Sequence, residues 1–488
     1  MPQLGPAPSA DEILESLPVM RDEGRLSAEW LATPRRIHLI GLGGAGMSAI
    51  AIVLKAMGHE ISGSDVKDSL TLTRLRAGGI RCDVGHRAAQ VAGADAVVYS
   101  SAVRASNAEM LAAEDLGIPT WRRSHVLAAI SASRRALVVA GTHGKTSTSS
   151  MLALSLRAAG LDPCFLIGGD LNEIGTNAYW GSGEFVVAEG DESDGTFLLL
   201  EPEGAVITGV EGDHLENWGN SLEAIEAGFR RFAEQTGEWL VVNGDDPGLA
   251  RALKGLECRT VTYGESEGCD FRLTVKEVAH SGTKMEIYAE GDLFCETTLP
   301  LPGRHFALNA TGAAALASLA GAGPGAVARA LSRFSGVARR FQFKGEGAGV
   351  NVYDDYAHLP AEVAATVGAA REIAAGRVVA VFQPHLYSRT AAFAGDFAKA
   401  LAGADVVIVT DVFGAREDPV PGVTGQMITD LISRDAATVL TVRRREVIDA
   451  VLDEAAPGDV VVTMGAGDIT SVAPDLVLQL RSRESCHD

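Results

Sequence analysis

Apolar residues recur along the chain in short runs that do not alternate, the first of them carrying His38. The first half holds Ile37–Ile40, Ala96–Tyr99, Leu137–Ala140, Phe185–Ala188, Ala205–Ile207 and Leu240–Val242; the second half holds Val378–Phe382, Val406–Val409 and Val460–Val462. A strand with one wet face alternates polar and apolar residues, so runs that do not alternate suit strands covered on both faces, as in parallel sheets. Helical stretches separate the runs, and this alternation predicts doubly wound α/β domains. Glu257–Pro300 departs from the pattern: FRLTVKEV and KMEIYAE alternate, which predicts antiparallel strands. The longest uncharged stretch, Phe306–Ala328, is rich in Ala and Gly and includes Asn309 and Pro324. It predicts one or two buried helices rather than a membrane span.

At roughly 150 residues per domain, a chain of 488 residues predicts about three domains. Boundaries are expected near Arg134 and Phe334. Residues 1–34 form a flexible or partly helical extension, 35–134 a Rossmann-like domain, 135–335 a central P-loop ATPase-type α/β domain, and 336–488 a second Rossmann-like α/β domain. The segment Ser335–Arg340 links the last two.

Charge narrows the partners. Lys and Arg number 42 against 63 Asp and Glu, a formal net charge of −21. Such a field repels nucleic acid and anionic membranes, though local Gly loops and a few cations still hold small anions. Six scattered cysteines (Cys82, Cys164, Cys258, Cys269, Cys295 and Cys486) make no CxxC pair. That argues against a zinc site or a disulfide framework, and fits a reducing cytosol. The acidic N-terminus lacks a signal pattern. A cytoplasmic monomer or weak homodimer is expected.

Two Gly loops carry the chemistry. Gly41-Leu42-Gly43-Gly44-Ala45-Gly46-Met47 follows a strand and opens a helix, where small residues let backbone N–H groups approach a diphosphate. Asp65, after the next apparent strand, suits a ribose hydroxyl. Taken alone this loop reads as the NAD site of a dehydrogenase. The second loop, Gly141-Thr142-His143-Gly144-Lys145-Thr146-Ser147, argues otherwise. It is a GxxGKT turn between the strand Leu137–Ala140 and a helix predicted over Ser147–Ala159, with Val139 where the full P-loop pattern wants Gly. Backbone N–H groups would cradle phosphates, Lys145 would pair with the β- and γ-phosphates, and the Thr146 hydroxyl would reach Mg²⁺. Carboxylates end the next strands. Glu189, in AEGDESD, is placed for Mg²⁺, and His214, in VEGDH, is a possible second metal ligand. In the last third, Asp354 and Asp355, His385, Asp411 and Gly465-Ala466-Gly467-Asp468 each sit in or after an apolar run, so a parallel sheet would gather all four at one edge.

In this order and spacing, GLGGAGM, GTHGKTST, AEGDESDGTFL and GVEGDHLEN resemble the Mur ligase family. The likeness continues through PGRHFALNA, FSGVARRFQ, VYDDYAHLPAEV, FQPHLYSRT, DVFGAREDPVPGVTG and MGAGDI, about residues 35–470. It implies an N-terminal domain for a UDP-sugar, a central ATPase domain and a C-terminal domain that closes over both. The opening loop is most similar to the branch that joins L-alanine to UDP-N-acetylmuramate through an acyl phosphate in peptidoglycan synthesis, with ATP and Mg²⁺. The resemblance gives Gly41, Gly43, Gly44, Ala45, Gly46, Met47, Asp65, Ser100 and Ser101 to the sugar nucleotide. Gly141 to Ser147, Asn309, Arg340 and Asp355 go to ATP, with Asn309 at the adenine. Thr146, Glu189 and His214 go to metal. Tyr356, His358, His385 and Arg389 surround the amino acid and the reacting carboxylate, and His214, His358 and His385 are candidate general bases. This chain has Leu359, Leu386 and Phe306 where many relatives have His, Arg and Asn. With no Lys between Lys145 and Lys254, the carbamylated lysine of several sister ligases has no counterpart. Alternatives are a sister ligase for another amino acid or for folate, an NAD-dependent oxidoreductase, and a non-catalytic nucleotide-binding regulator.

Overall fold

The computed structural model describes residues 8–17, 19–20, 26–415, 417–433 and 437–484. Parts of the 1–34 extension, and Cys486, lie outside the described residues. The chain forms two compact units. One takes residues up to 274 with 286–297 and 308–333; the other takes 275–285, 298–307 and 334 onward. Among the described residues, no helix is long and apolar enough to cross a membrane.

The first unit holds a five-stranded parallel sheet in the order Arg81–Val84, Glu60–Asp65, Arg36–Ile40, Ala96–Tyr99, Thr120–Arg122. Arg36–Ile40 is central and buried after its first residue. The chain winds outward from it in both directions, so a crevice opens at its carboxyl end, where the loop starting at Gly41 lies. The helix Ala45–Ala56 follows. Its Met47, Ile50, Val53 and Leu54 share one apolar core with Cys164, Leu166 and Ala178 of the second sheet.

That second sheet has ten strands. Its parallel series runs Thr260–Gly264, Trp239–Asn243, Gly204–Ile207, Arg135–Ala140, Phe185–Glu189, Cys164–Leu171, with Thr176–Tyr179 antiparallel at one edge. Arg135–Ala140 stands at its switch point, and the helix Lys145–Ala158 begins two residues earlier than the sequence predicts. Beyond Thr260–Gly264 come Phe271–Ala279, Gly282–Ala289 and Asp292–Leu299. Two-residue turns join these last three, the connection of antiparallel hairpins, as expected, but Phe271–Ala279 pairs parallel with Thr260–Gly264 on its other side. Thr260–Gly264 corrects the expectation for its segment: it is parallel to Trp239–Asn243, because the helix Pro247–Ala252 carries the chain back across the sheet. The uncharged stretch is two helices, Arg304–Leu319 and Pro324–Leu331.

The described part of the N-terminal extension is helical and docked. Ser9 caps Ala10–Ser16 through a capping box with Glu12. Ile13, Leu14, Leu17 and Val19 join the core under the helix Leu222–Gln235.

The second unit contains a six-stranded sheet ordered Gln342–Gly347, Val350–Asp355, Val460–Met464, Val378–Phe382, Val406–Val409, Thr438–Thr441. The first pair is antiparallel and the rest parallel. Both Asp354 and Asp355 fall inside their strand. Parallel strands end on the same side, so Asp355, His385, Asp411 and the turn Gly465–Asp468 share one edge, as the sequence predicts.

Candidate active site

The second Gly loop is a tight turn forced by its glycines. Gly141 (φ +128°) leaves no room for a side chain beside Thr208. Gly144 (φ +81°) caps the helix Lys145–Ala158, and Asn309 Oδ1 lies 2.5 Å from where a Cβ on Gly144 would stand. Asn309, expected at the adenine, is thus against this loop. Thr142 Oγ1 accepts from the Glu211 amide at 2.9 Å, and His143 Nε2 is 3.6 Å from Glu211 Oε2. The amides of a helix start remain to face an anion.

Lys145 is folded back in this state. Its Nζ donates to the carbonyls of Gly141 (2.8 Å) and Thr142 (3.1 Å) and pairs with Glu192 Oε2 at 2.6 Å. Burial opposes the lysine's charge, but Glu192 and Asp191 raise its pKa above the ordinary value. Burial pushes Glu192 up to about 7, against the pull of Lys145. Glu189 accepts from Thr146 Oγ1 and Ser149 Oγ, each at 3.1 Å, and from the Gly168 amide at 2.6 Å. A Cβ on Gly168 would stand 2.9 Å from Glu189 and 3.2 Å from Thr146. The hydroxyl and carboxylate therefore meet in a cradle kept open by glycine. His214 has φ +54°, and its Nε2 lies 3.8 Å from Asp213 Oδ2. No three His, Cys, Asp or Glu side chains among the described residues stand close enough to share a metal.

At the first loop, Gly41 and Leu42 donate to the Ser64 carbonyl, and the Gly43 amide donates to Asp65 Oδ2 at 2.8 Å. Asp65 thus holds the loop's shape in this state. Ser100 Oγ is 2.9 Å from where a Cβ on Gly41 would lie; Ser101 is exposed. Gly44 caps the helix that carries Ala45, Gly46 and Met47. Asn177 Nδ2, from the second sheet, donates to the Ala45 carbonyl at 2.9 Å. Arg123 Nη1 lies 2.6 Å from where a Cβ on Gly46 would stand, while its Nη2 donates to Asp191 at 2.9 Å and reaches Asp194 at 3.4 Å.

In the second unit, Asp355 accepts from the Phe341 and Ala357 amides at 2.6 and 2.7 Å, and burial pushes its carboxyl up to about 6. Arg339 and Arg340 lie 4.7 and 5.5 Å over the Tyr356 ring, and Arg340 reaches Glu362 at 3.8 Å. His358 Nδ1 is 3.2 Å from Glu362 Oε2 and 3.0 Å from the Tyr356 carbonyl. His358 and His385 meet edge to face at 5.8 Å, and His385 stacks on Phe413. Leu386 turns the chain at φ +69° into the helix Tyr387–Leu401, which carries Arg389. The Arg389 Nη1 is buried with no hydrogen-bond partner among the described residues.

Three segments match the Mur ligase family: residues 36–135 its catalytic domain, 139–317 its middle domain and 339–467 its glutamate ligase domain. The UDP-N-acetylmuramate–L-alanine ligase of Saccharopolyspora erythraea is 46% identical over 473 residues, covering 94% of this chain and 96% of that one. That of Kineococcus radiotolerans is 48% identical over 459 residues, covering 92% and 97%. The chain belongs to the Mur ligase family. The crystal structure of UDP-N-acetylmuramate-alanine ligase MurC from Thermotoga maritima superposes on this Mur ligase at TM-score 0.78 with 30% identity, over 92% of this chain and 100% of that one. A MurF ligase from Thermotoga maritima, solved in complex with ADP, shares the fold at TM-score 0.58 and 19% identity, over 87% of this chain and 94% of that one.

Reading the sequence did not single out five side chains that this Mur ligase builds into these clusters. Glu192 stands in the same acidic string as Glu189 but one turn of loop later, and Ser149 is one helical turn past Thr146. Glu362 follows His358 at helical spacing, a signal that was available. Arg123 and Asn177 gave none, because their partners are remote in sequence.

Proposed function

We propose that this Mur ligase joins L-alanine to the lactyl carboxylate of UDP-N-acetylmuramate with conversion of ATP to ADP and phosphate, a cytosolic step of peptidoglycan synthesis. The observation that carries the reading is the pair of Gly loops at the switch points of two sheets, one backed by Lys145, Thr146 and Glu189. The curated relatives that carry this activity's name cover nearly the whole chain. In this reading the sugar nucleotide belongs to 35–134, ATP to 135–335 and the amino acid to 336–488.

The chemistry follows from the leaving group. A carboxylate would have to expel oxide, so phosphorylation to an acyl phosphate must precede attack by the amine. Loop amides from Gly141 to Ser147 bind the phosphates, and Lys145, leaving Glu192, pairs with the transferring phosphoryl. Hard oxygens suit magnesium, so Thr146 and Glu189 would hold it, with His214 a further candidate ligand. When bound, Mg²⁺ supplies positive charge against the phosphates. Arg389, whose buried nitrogen has a donor to spare, would take the amino-acid carboxylate. A base must remove a proton from the alanine ammonium. Of the three candidates, His358 is oriented by the Glu362 carboxylate, the arrangement that fixes an imidazole's tautomer.

The test is ADP release with UDP-N-acetylmuramate and a panel of amino acids. L-Alanine should give the fastest turnover, and Lys145→Ala should lose about a thousandfold or more while keeping its fold. Fastest turnover with another amino acid, or near-normal turnover in the variant, would refute the assignment.

A further inference from the structure

We propose that Arg123 is a positioning residue that couples the sugar loop to the phosphate loop, an inference that rests on assigning those loops to UDP-N-acetylmuramate and ATP. Arg123 is the first residue of the helix Arg123–Ser131, and its guanidinium faces two ways. One nitrogen lies against Gly46, at the helix start where the first loop offers its amides to a diphosphate. The other holds Asp191 at 2.9 Å and Asp194 at 3.4 Å. Those carboxylates are themselves pinned: Asp191 accepts from the Ser193 amide and hydroxyl at 3.0 and 2.6 Å, and Asp194 accepts from the Thr196 amide at 3.0 Å and from its hydroxyl. The next residue after Asp191 is Glu192, which grips Lys145 at 2.6 Å. From Gly46 the line runs to Arg123, by ion pair to Asp191, along one peptide bond to Glu192, and by ion pair to Lys145.

The guanidinium is planar, with donors fixed in one fork, so it cannot shift on one side without moving on the other. An anion at Gly46 fixes Arg123, and Arg123 fixes the acidic loop that presents Glu192 to Lys145. Whichever ligand arrives first orders this segment, and the second then binds with less left to order. Coupling of this kind is reciprocal: the sugar nucleotide improves ATP affinity by the same factor by which ATP improves its own. Asp191 also acts on Lys145 through space, raising its pKa together with Glu192, so the carboxylate that Arg123 holds is one that the phosphate-binding lysine feels.

The experiment measures, by titration calorimetry, the affinity of a non-hydrolysable ATP analogue with and without UDP-N-acetylmuramate. The wild-type chain should bind the analogue about fivefold or more tightly when the sugar nucleotide is present. In Arg123→Gln the ratio should fall to about one with both ligands still bound, and Arg123→Lys should recover only part of it. Asp194→Asn, which leaves Arg123 at Gly46, should also lower the ratio, and it decides the matter should Arg123→Gln fail to fold. Binding of both ligands with a wild-type ratio of one, or a ratio undiminished in the variants, would overturn the Arg123 assignment alone. No binding of UDP-N-acetylmuramate to the wild-type chain would overturn this inference together with the function it rests on.

Discussion

Glu192 sits where burial and neighbouring charge pull its proton in opposite directions. Burial raises its pKa to about 7, Lys145 lowers it and Asp191 raises it again. An unfolded glutamate titrates near 4.5. Between those values the folded chain holds a proton that the unfolded chain has released, so this group's contribution to stability is full below pH 4.5 and fades as pH rises through 7. Glu192→Gln should therefore flatten the fall in thermal midpoint between about pH 5 and 7.5, and equal slopes in variant and wild type would contradict it. The residues legible in the sequence were those whose type is dictated locally. The tight turn needs Gly141 and Gly144, whose φ is positive, and Lys145 and Thr146 follow it at the helix start, while Glu189 ends the neighbouring strand. Glu192 and Arg123 were not legible, because each is defined by a partner brought from elsewhere in the chain.

Elements were legible wherever burial acted on both faces. Each of the nine apolar runs read from the sequence became a strand, whereas the equally apolar Ala49–Leu54 lies in the helix Ala45–Ala56, so such a run marks a buried element and its flanking turns decide the type. Pairing direction was less legible: Thr260–Gly264 lies in an alternating segment yet runs parallel to its neighbour, a matter of the preceding helix rather than its own residues. The helix Ala10–Ser16 shows the same limit. Its capping box is readable in Ser9 and Glu12, but its docking under the helix Leu222–Gln235 is not. Docking makes this element a contributor to the central domain's stability. Ile13 is 6% exposed, and Ile13→Ala should cost about 2–5 kcal/mol, against about 1 kcal/mol for Ser9→Ala. Denaturant titration of the two variants would check this ordering; an Ile13→Ala chain as stable as wild type would mean the helix only rests on the surface.

At the scale of the molecule, a chain of net charge −21 must gather anionic substrates against its own field, and it does so with backbone amides and few cations. Two such loops at two switch points were legible. That the first is built partly on the second sheet was not, because the shared core of Met47, Ile50, Leu166 and Ala178 joins segments far apart in sequence. Asn177 makes the point testable. It belongs to the edge strand Thr176–Tyr179 of the central sheet, it is 5% exposed, and its amide donates to the Ala45 carbonyl in the sugar loop. The Ala45 carbonyl keeps a second donor, the Ser48 hydroxyl at 2.9 Å, so losing Asn177 costs one hydrogen bond, about 0.5–1.5 kcal/mol, and loosens the tie between the loop and the sheet. Asn177→Ala should thus raise KM for UDP-N-acetylmuramate by about two- to tenfold. KM for ATP should barely change, because the phosphate loop is fixed by Thr208, Glu211 and Asn309 and not by this strand. A variant in which both constants rise together would show that Asn177 supports the central domain as a whole, and one in which neither moves would show that the sugar loop stands without it.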